Sequence, residues 1–279
     1  MHWAPLAVSF ALALALVPSG VRGLERAGRR RQNFRERQVA YPLGAVLLAT
    51  SLVALAPLAL LDGRAGLHLI EPDFRRWVAY VLGVALLGLI DDTIGRGAAA
   101  DSPRGWRGHA RAALHGELSA GAVKAAGALG LAAFVVSGRG RHELDYLADL
   151  ALLLLTTNLF NLLDLRPGRA EKALVLLGAG LCIGGATLLP VRLMGLFLGP
   201  LLVGGWFTLR ERAMLGDAGS NLAGAVAGVW LLTSLGHSGR LIALATVALL
   251  TVYGEFRSLS AAIDRVPLLR HLDSLGRAS

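Results

Sequence analysis

Three short polar clusters interrupt an otherwise apolar chain, and their residue types suit divalent-cation and phosphate chemistry. Leu89-Ile90 runs into the adjacent carboxylates Asp91 and Asp92. Asn158, Asn161 and Asp164 follow at three-residue spacing, ahead of Leu165-Arg166-Pro167-Gly168-Arg169. Met214-Leu215 leads into Gly216-Asp217-Ala218-Gly219-Ser220-Asn221. Two carboxylates at the C-terminal end of a helix oppose its macrodipole, which favours cations there. A bound cation relieves that conflict and their mutual repulsion together. Residues three apart share a helix face, so Asn158, Asn161 and Asp164 are expected to converge on one ligand. The small residues around Asp217 let a ligand approach the backbone, and the helix starting near Ser220 is expected to offer free N–H groups to an anion. Hard carboxylate oxygens beside a phosphate suit Mg²⁺, which binds through one or two carboxylates plus substrate oxygens. No Cys/His cluster argues for zinc, and His109 and His115 read as surface or interfacial residues. No phosphate loop of the NTPase kind occurs in the sequence.

Each cluster also has a plainer explanation. Asp91-Asp92 could merely end a helix at an interface, the Asn-x-x-Asn-x-x-Asp face could be interhelical hydrogen-bonding glue, and Asp217 could cap a helix. Polar side chains inside a membrane, however, normally face the bundle interior and are paired or functional.

The elements that must position these clusters are apolar helices. Of 279 residues, 54% are apolar and 17% charged, where a soluble domain is typically about 25% charged. A span needs roughly 20 apolar residues. Candidates run approximately over 3–21, 42–61, 77–90, 118–136, 146–163, 173–189, 191–208, 222–235 and 241–254, with Gly138, Gly168, Pro190, Gly216 and Gly239 as breakers between them. The third and eighth are short and are expected to extend at their ends. The expected fold is therefore all-α, a polytopic transmembrane bundle of about nine spans. It divides into one membrane domain over 1–256 and a basic tail over 257–279, read either as an amphipathic surface helix with a frayed end or as a solvated tail. The lone Cys182 lies in an apolar stretch, so no disulfide framework exists.

Orientation follows from charge. The first span has no Lys or Arg ahead of it and a dense basic run behind it, from Arg22 to Arg37. That polarity is the reverse of a signal peptide's, so a retained anchor is expected. With the run inside, the N-terminus is outside and the C-terminus cytoplasmic. Counted this way, 21 of the 28 Lys and Arg lie on the cytoplasmic side, which is the positive-inside bias. The net charge of +9 thus marks a membrane face rather than a nucleic-acid partner. The same orientation, derived from basic residues alone, puts all three polar clusters on the cytoplasmic side.

The clusters, in this order and at these separations, resemble the polyprenyl-phosphate N-acetylhexosamine-1-phosphate transferase family, whose members start peptidoglycan lipid intermediates, O-antigen and teichoic acid linkage units. The resemblance covers most of the chain. Weaker echoes are Arg37 with Pro42 and Gly44, and Gly121-x-x-Lys124. It implies a multi-pass protein of a bacterial-type plasma membrane with a cytoplasm-facing, Mg²⁺-dependent site, Mn²⁺ being able to substitute. The substrates implied are polyprenyl phosphate and a UDP-N-acetylhexosamine, the products a lipid diphosphate sugar and UMP. Carried onto this sequence, Asp91, Asp92 and Asp217 are the catalytic carboxylates, with Asp217 and Asp92 as metal ligands. Asn158, Asn161 and Asp164 hold the nucleotide side, and Lys124 stabilises pyrophosphate charge. The resemblance also leaves room for a homodimer.

The chain departs from that pattern at three places. Pro167 replaces the second Asp of the usual Gly-x-Asp-Gly, only His271 stands where a His-rich motif is usual, and Met214 replaces an aromatic residue. Arg166 and Arg169 are expected to restore phosphate contacts, since Arg grips phosphate bidentately. Two other functions stay open: a family-derived protein that binds lipid phosphate or a partner enzyme without catalysis, and an ion-coupled transporter. A transporter would carry its carboxylates near mid-membrane, whereas these sit at span ends.

Overall fold

The computed structural model describes residues 3–66, 72–94, 120–137 and 142–277. His109, His115, Gly138 and the start of the fourth expected span lie outside those residues. The described chain is all-α apart from one two-stranded ribbon. In order come α1 (Ala4–Arg26), β1 (Arg30–Gln32), β2 (Gln38–Ala40), α2 (Leu43–Ala65), α3 (Pro72–Ile94), α4 (Ala120–Ser137), α5 (Glu143–Leu163) and α6 (Arg169–Gly184). Then follow α7 (Leu189–Leu193), α8 (Gly195–Leu209), α9 (Gly216–Ser234), α10 (His237–Phe256), α11 (Leu259–Arg265) and α12 (Pro267–Ser274).

Local sequence explains the helix ends. Gly66, left-handed at φ +59°, closes α2, as glycine does after many helices. Pro190 and Pro267 stand in the first turns of α7 and α12, where a missing N–H costs nothing. The Ser258 side chain accepts the Ala261 N–H at 3.2 Å and caps α11. Between the sixth and seventh expected spans the structure corrects the sequence reading. The helix stops at Gly184, a turn follows, and the five-residue α7 precedes α8. Paired glycines at 184 and 185 and the proline at 190 break what the apolar pattern shows as two abutting spans. The third and eighth segments do extend, to 23 and 19 residues.

Four helices among the described residues, α1, α2, α5 and α10, are long and apolar enough to cross a membrane; α4 and α8 are shorter apolar helices. The organising element is none of these. It is α9, in which every residue from Ala218 to Leu232 is buried. A helix buried on all sides must be small or apolar all round, and α9 is rich in both. It packs against α3, α5, α2 and α6, and glycines set the closeness. A Cβ at Gly224 would lie 2.7 Å from Thr157 Cα, one at Gly88 would strike the Asp217 carbonyl, and one at Gly44 would strike the Gly219 backbone. This is the small-residue packing of membrane helices.

Gly88 lies one turn before Asp91, so the contact fixes how near the acidic end of α3 comes to α9. Gly88→Val is expected to lower stability by about 1–3 kcal/mol, the usual cost of overpacking, because the opposing atoms are backbone and cannot rotate away. Thermal melting of the protein in detergent micelles checks this, and an unchanged midpoint would refute the close approach.

The ribbon folds over one end of the bundle. Its strands pair antiparallel, Arg30 with Ala40 and Gln32 with Gln38. The Asn33 side chain accepts the Arg35 and Arg37 amides at 2.8 and 3.0 Å and donates to Glu211 at 3.0 Å. Glu211, buried and at φ +53°, also pairs with Arg35 at 3.2 Å. The segment from Arg212 to Leu215 is stitched to Ala40–Gly44 by backbone bonds of 2.8–3.1 Å. The strand that delivers the chain to α9 is thereby tied to the start of α2.

A further long-range tie is at the far ends of α5 and α10, where Asp149 and Arg240 form a buried ion pair at 3.2 Å. The tail is helical but not one helix: it breaks at Pro267 into α11 and α12, and it is pinned to the bundle rather than solvated along its length.

Candidate active site

Three helix ends meet below the ribbon: the C-terminal ends of α3 and α5 and the first turn of α9. Lys124, from the start of α4, joins them. Its ammonium donates to Asp217 Oδ2 at 2.7 Å and to Asp91 Oδ2 at 3.2 Å. These three side chains are 20–33% exposed, so the cluster is reachable from outside the bundle.

Asp92 has a different task. Its Oδ1 accepts the Asp217 N–H at 3.0 Å and its Oδ2 accepts the Ala218 N–H at 3.0 Å. The Tyr41 hydroxyl also donates to Asp92 Oδ1. Asp92 therefore caps α9 from a neighbouring helix, supplying the negative charge that a helix N-terminus favours. Gly216, at φ +71°, makes this possible: a Cβ there would sit 2.7 Å from Asp92 Oδ2. The geometry corrects two expectations. The first amides of α9 are taken by Asp92 rather than left for a substrate anion. And the carboxylate that faces Asp217 across a shared cation is Asp91, not Asp92.

Tyr41 and Arg31 were not found from sequence. Tyr41 is 3% exposed, and the Arg31 guanidinium bonds its hydroxyl at 3.3 Å while lying 5.2 Å from its ring centroid. Both sit in a basic, polar stretch where nothing distinguishes them from surface residues. The only sequence signal was the Pro42 and Gly44 that follow.

On the α5 side, Asn161 enters the cluster: the Ser220 hydroxyl donates to its Oδ1 at 3.0 Å. Asn158, one turn further back along the helix than Asn161, is exposed. Asp164 is the C-cap of α5, with the Gly216 amide and the carboxylates of Glu171, Asp217 and Asp92 as its electrostatic neighbours. Four aspartates thus share this end of the bundle with Lys124 and Arg31 as nearby cations.

Of the two arginines expected to grip phosphate, Arg169 is fully engaged elsewhere and Arg166 is only loosely paired. Arg169 is buried, and its guanidinium makes a two-pronged pair with Asp273 at 2.8 and 2.9 Å and a third bond to Ser260 at 2.9 Å. Arg166 lies 3.8 Å from Asp264 and 4.8 Å from the Phe34 ring centroid. Arg169 holds the tail, and Arg166 lies between the tail and the turn of the ribbon. Lys172 donates to the last carbonyls of α12, Leu272 at 3.1 Å among them, and Arg277 donates to Pro167 O at 3.0 Å. The tail is thus a brace for the loop that carries Asp164.

That brace has a pH window. Burial opposes ionisation of Asp273, but the Arg169 hydrogen bonds and charge, with those of Arg277, outweigh it and hold the carboxyl at about 2. A carboxyl depressed in the folded state stabilises above its unfolded pKa, near 3.9, and loses that contribution as pH falls through the folded value. A nitroxide at residue 274 is therefore expected to gain mobility between about pH 4 and pH 2. Mobility that is constant across that interval would dissociate the docking from Asp273.

Among the described residues no three His, Cys, Asp or Glu side chains form a metal cage. Mg²⁺ does not require one, since it binds by one or two carboxylates and completes its shell with water and phosphate oxygens. Asp91 and Asp217, already sharing one cation, fit that donor set. Compared with protein-family models and with curated proteins, the chain matches none.

Proposed function

We propose that this chain is an integral membrane transferase that moves an N-acetylhexosamine 1-phosphate from a UDP-sugar to a polyprenyl phosphate, releasing UMP. The observation that carries the reading is the meeting of Asp91 and Asp217, from separate helices, on the Lys124 ammonium. Asn161 stands beside them through Ser220. Phosphoryl transfer asks mainly for positioning and charge neutralisation, and this cluster offers both.

In the reaction an oxygen of the lipid phosphate forms a bond to the sugar-linked phosphorus, and the bond from that phosphorus to the bridging oxygen breaks, the electron pair leaving with UMP. Mg²⁺, when bound by Asp217 and Asp91, supplies charge neutralisation for the phosphates. Lys124 adds a second positive charge where the diphosphate is cleaved. Asp92 holds the first turn of α9 so that Asp217 faces Asp91, and Tyr41 holds Asp92. Asn161 and Asp164 lie on the side where a nucleotide would be held.

A topology consistent with this reading is part of the proposal: the apolar helices would cross a bacterial-type plasma membrane with the ribbon, the cluster and the tail on the cytoplasmic side, as the excess of basic residues there suggests. An assay with radiolabelled UDP-N-acetylhexosamine and polyprenyl phosphate, with and without Mg²⁺, tests the proposal: label is expected in lipid diphosphate, with stoichiometric UMP, only when Mg²⁺ is present. No turnover with any UDP-sugar would leave a lipid-phosphate-binding protein as the better description.

A further inference from the structure

We infer that the Lys124 ammonium is a resident stand-in for the divalent cation: the two occupy the same carboxylate oxygens in turn, and metal binding releases Lys124 to meet the phosphates. The inference rests on the metal-site part of the reading above, and not on sugar transfer itself.

The geometry makes the two occupants exclusive. Nζ lies 2.7 Å from Asp217 Oδ2 and 3.2 Å from Asp91 Oδ2, and those are the oxygens that converge between α3 and α9. An ion bridging them would come within a few ångströms of a full positive charge, so one cation must leave. Asp92 is the poorer seat for the metal, because its oxygens already accept two backbone amides of α9 and the Tyr41 hydroxyl. The backbones that carry the aspartates are fixed: Asp217 is in the first turn of a helix whose residues from Ala218 to Leu232 are all buried, and α3 is locked to it at Gly88. Lysine is the freer partner. It is a compact charge on a flexible four-carbon stem, it stands near the start of α4, and its side chain retains 20% exposure.

Replacing one positive charge by two leaves the Asp91–Asp217 pair neutralised and frees an ammonium at the mouth of the site. An anionic phosphate is the partner that ammonium then lacks. Metal and phosphate ligands therefore favour each other's binding, and the cluster resists taking up a divalent ion alone.

The test is Mn²⁺ binding to the full-length protein in micelles, read by electron paramagnetic resonance without substrate. Lys124→Met is expected to bind Mn²⁺ at least about tenfold more tightly than wild type, since a unit charge a few ångströms away outweighs a factor of ten at surface-like dielectric. Lys124→Arg keeps the charge and is expected to stay within about threefold of wild type. Should the Met variant fail to fold, wild-type protein gives a second readout. Acylation of Lys124 by an amine reagent, mapped by mass spectrometry, is expected to rise when Mn²⁺ is added. Mn²⁺ affinity that is unchanged or weakened in Lys124→Met, or Lys124 labelling that is unchanged or suppressed by Mn²⁺, overturns the inference. A chain that exchanges its cations as expected but releases no UMP keeps the inference and loses the transferase reading.

Discussion

Asp217→Asn is expected to reduce UMP release by at least about 10³-fold, the upper range for losing one preorganised electrostatic group. The substitution is nearly isosteric and spares the scaffold. What Asp92 holds at this position is the backbone amide, at 3.0 Å, so the first turn of α9 keeps its cap. What disappears is one of the two negative charges that share the cation, the other being Asp91 at 3.2 Å from Nζ. Asp91→Asn and Asp92→Asn are each expected to cost at least about 10²-fold, for different reasons. Loss at Asp91 should raise the Mg²⁺ concentration needed for half-maximal rate. Loss at Asp92 acts through the position of α9 and should also lower the melting temperature. Full UMP release by the Asp217 variant would remove that residue from its role.

The largest effect on stability is expected at the opposite end of α5. Asp149 and Arg240 are 1% and 5% exposed, and removing one partner of a buried pair leaves an uncompensated charge, typically at a cost of about 3–5 kcal/mol. Asp149→Ala should fall in that range by thermal melting in micelles. Replacing both partners by leucine should recover most of the loss, because a well-packed apolar pair often equals a buried ion pair. A double variant as unstable as the single one would show that Arg240 and Asp149 serve other neighbours more than each other.

Polar residues were legible in the sequence where they violated the apolar pattern. Asp91, Asp92 and Asp217 stood out because carboxylates at span ends are costly, and the structure brings all three to one place. Asn161 stood out with them. Lys124 carried no such signal from its spacing and was singled out through resemblance alone. What stayed hidden is what depends on distant partners. Arg169 reads as a phosphate ligand because it follows Asp164, while the residue that claims it is 104 positions away. Asp149 and Arg240 are 91 positions apart, and each alone looks like an interfacial charge. Tyr41 and Glu211 were invisible for the opposite reason: in stretches already polar, a side chain destined for burial looks like its neighbours. The length of the apolar runs located the helices, but it could not tell a turn at Gly184-Gly185 from a continuing span, because a glycine-rich membrane helix uses the same residues for packing.

The enclosure of α9 bears on how the protein is built. With Gly, Ala, Ser and Asn along its length, this segment gains little by leaving water for lipid, and its favourable contacts are all with other helices. Its place in the fold exists only where α3 and α5 already stand on either side to receive it. A nascent chain halted before residue 216 should therefore leave an open, small-residue slot. The acidic centre would then be the last feature to form during biogenesis, since its fourth wall arrives with the latest-inserted inner segment.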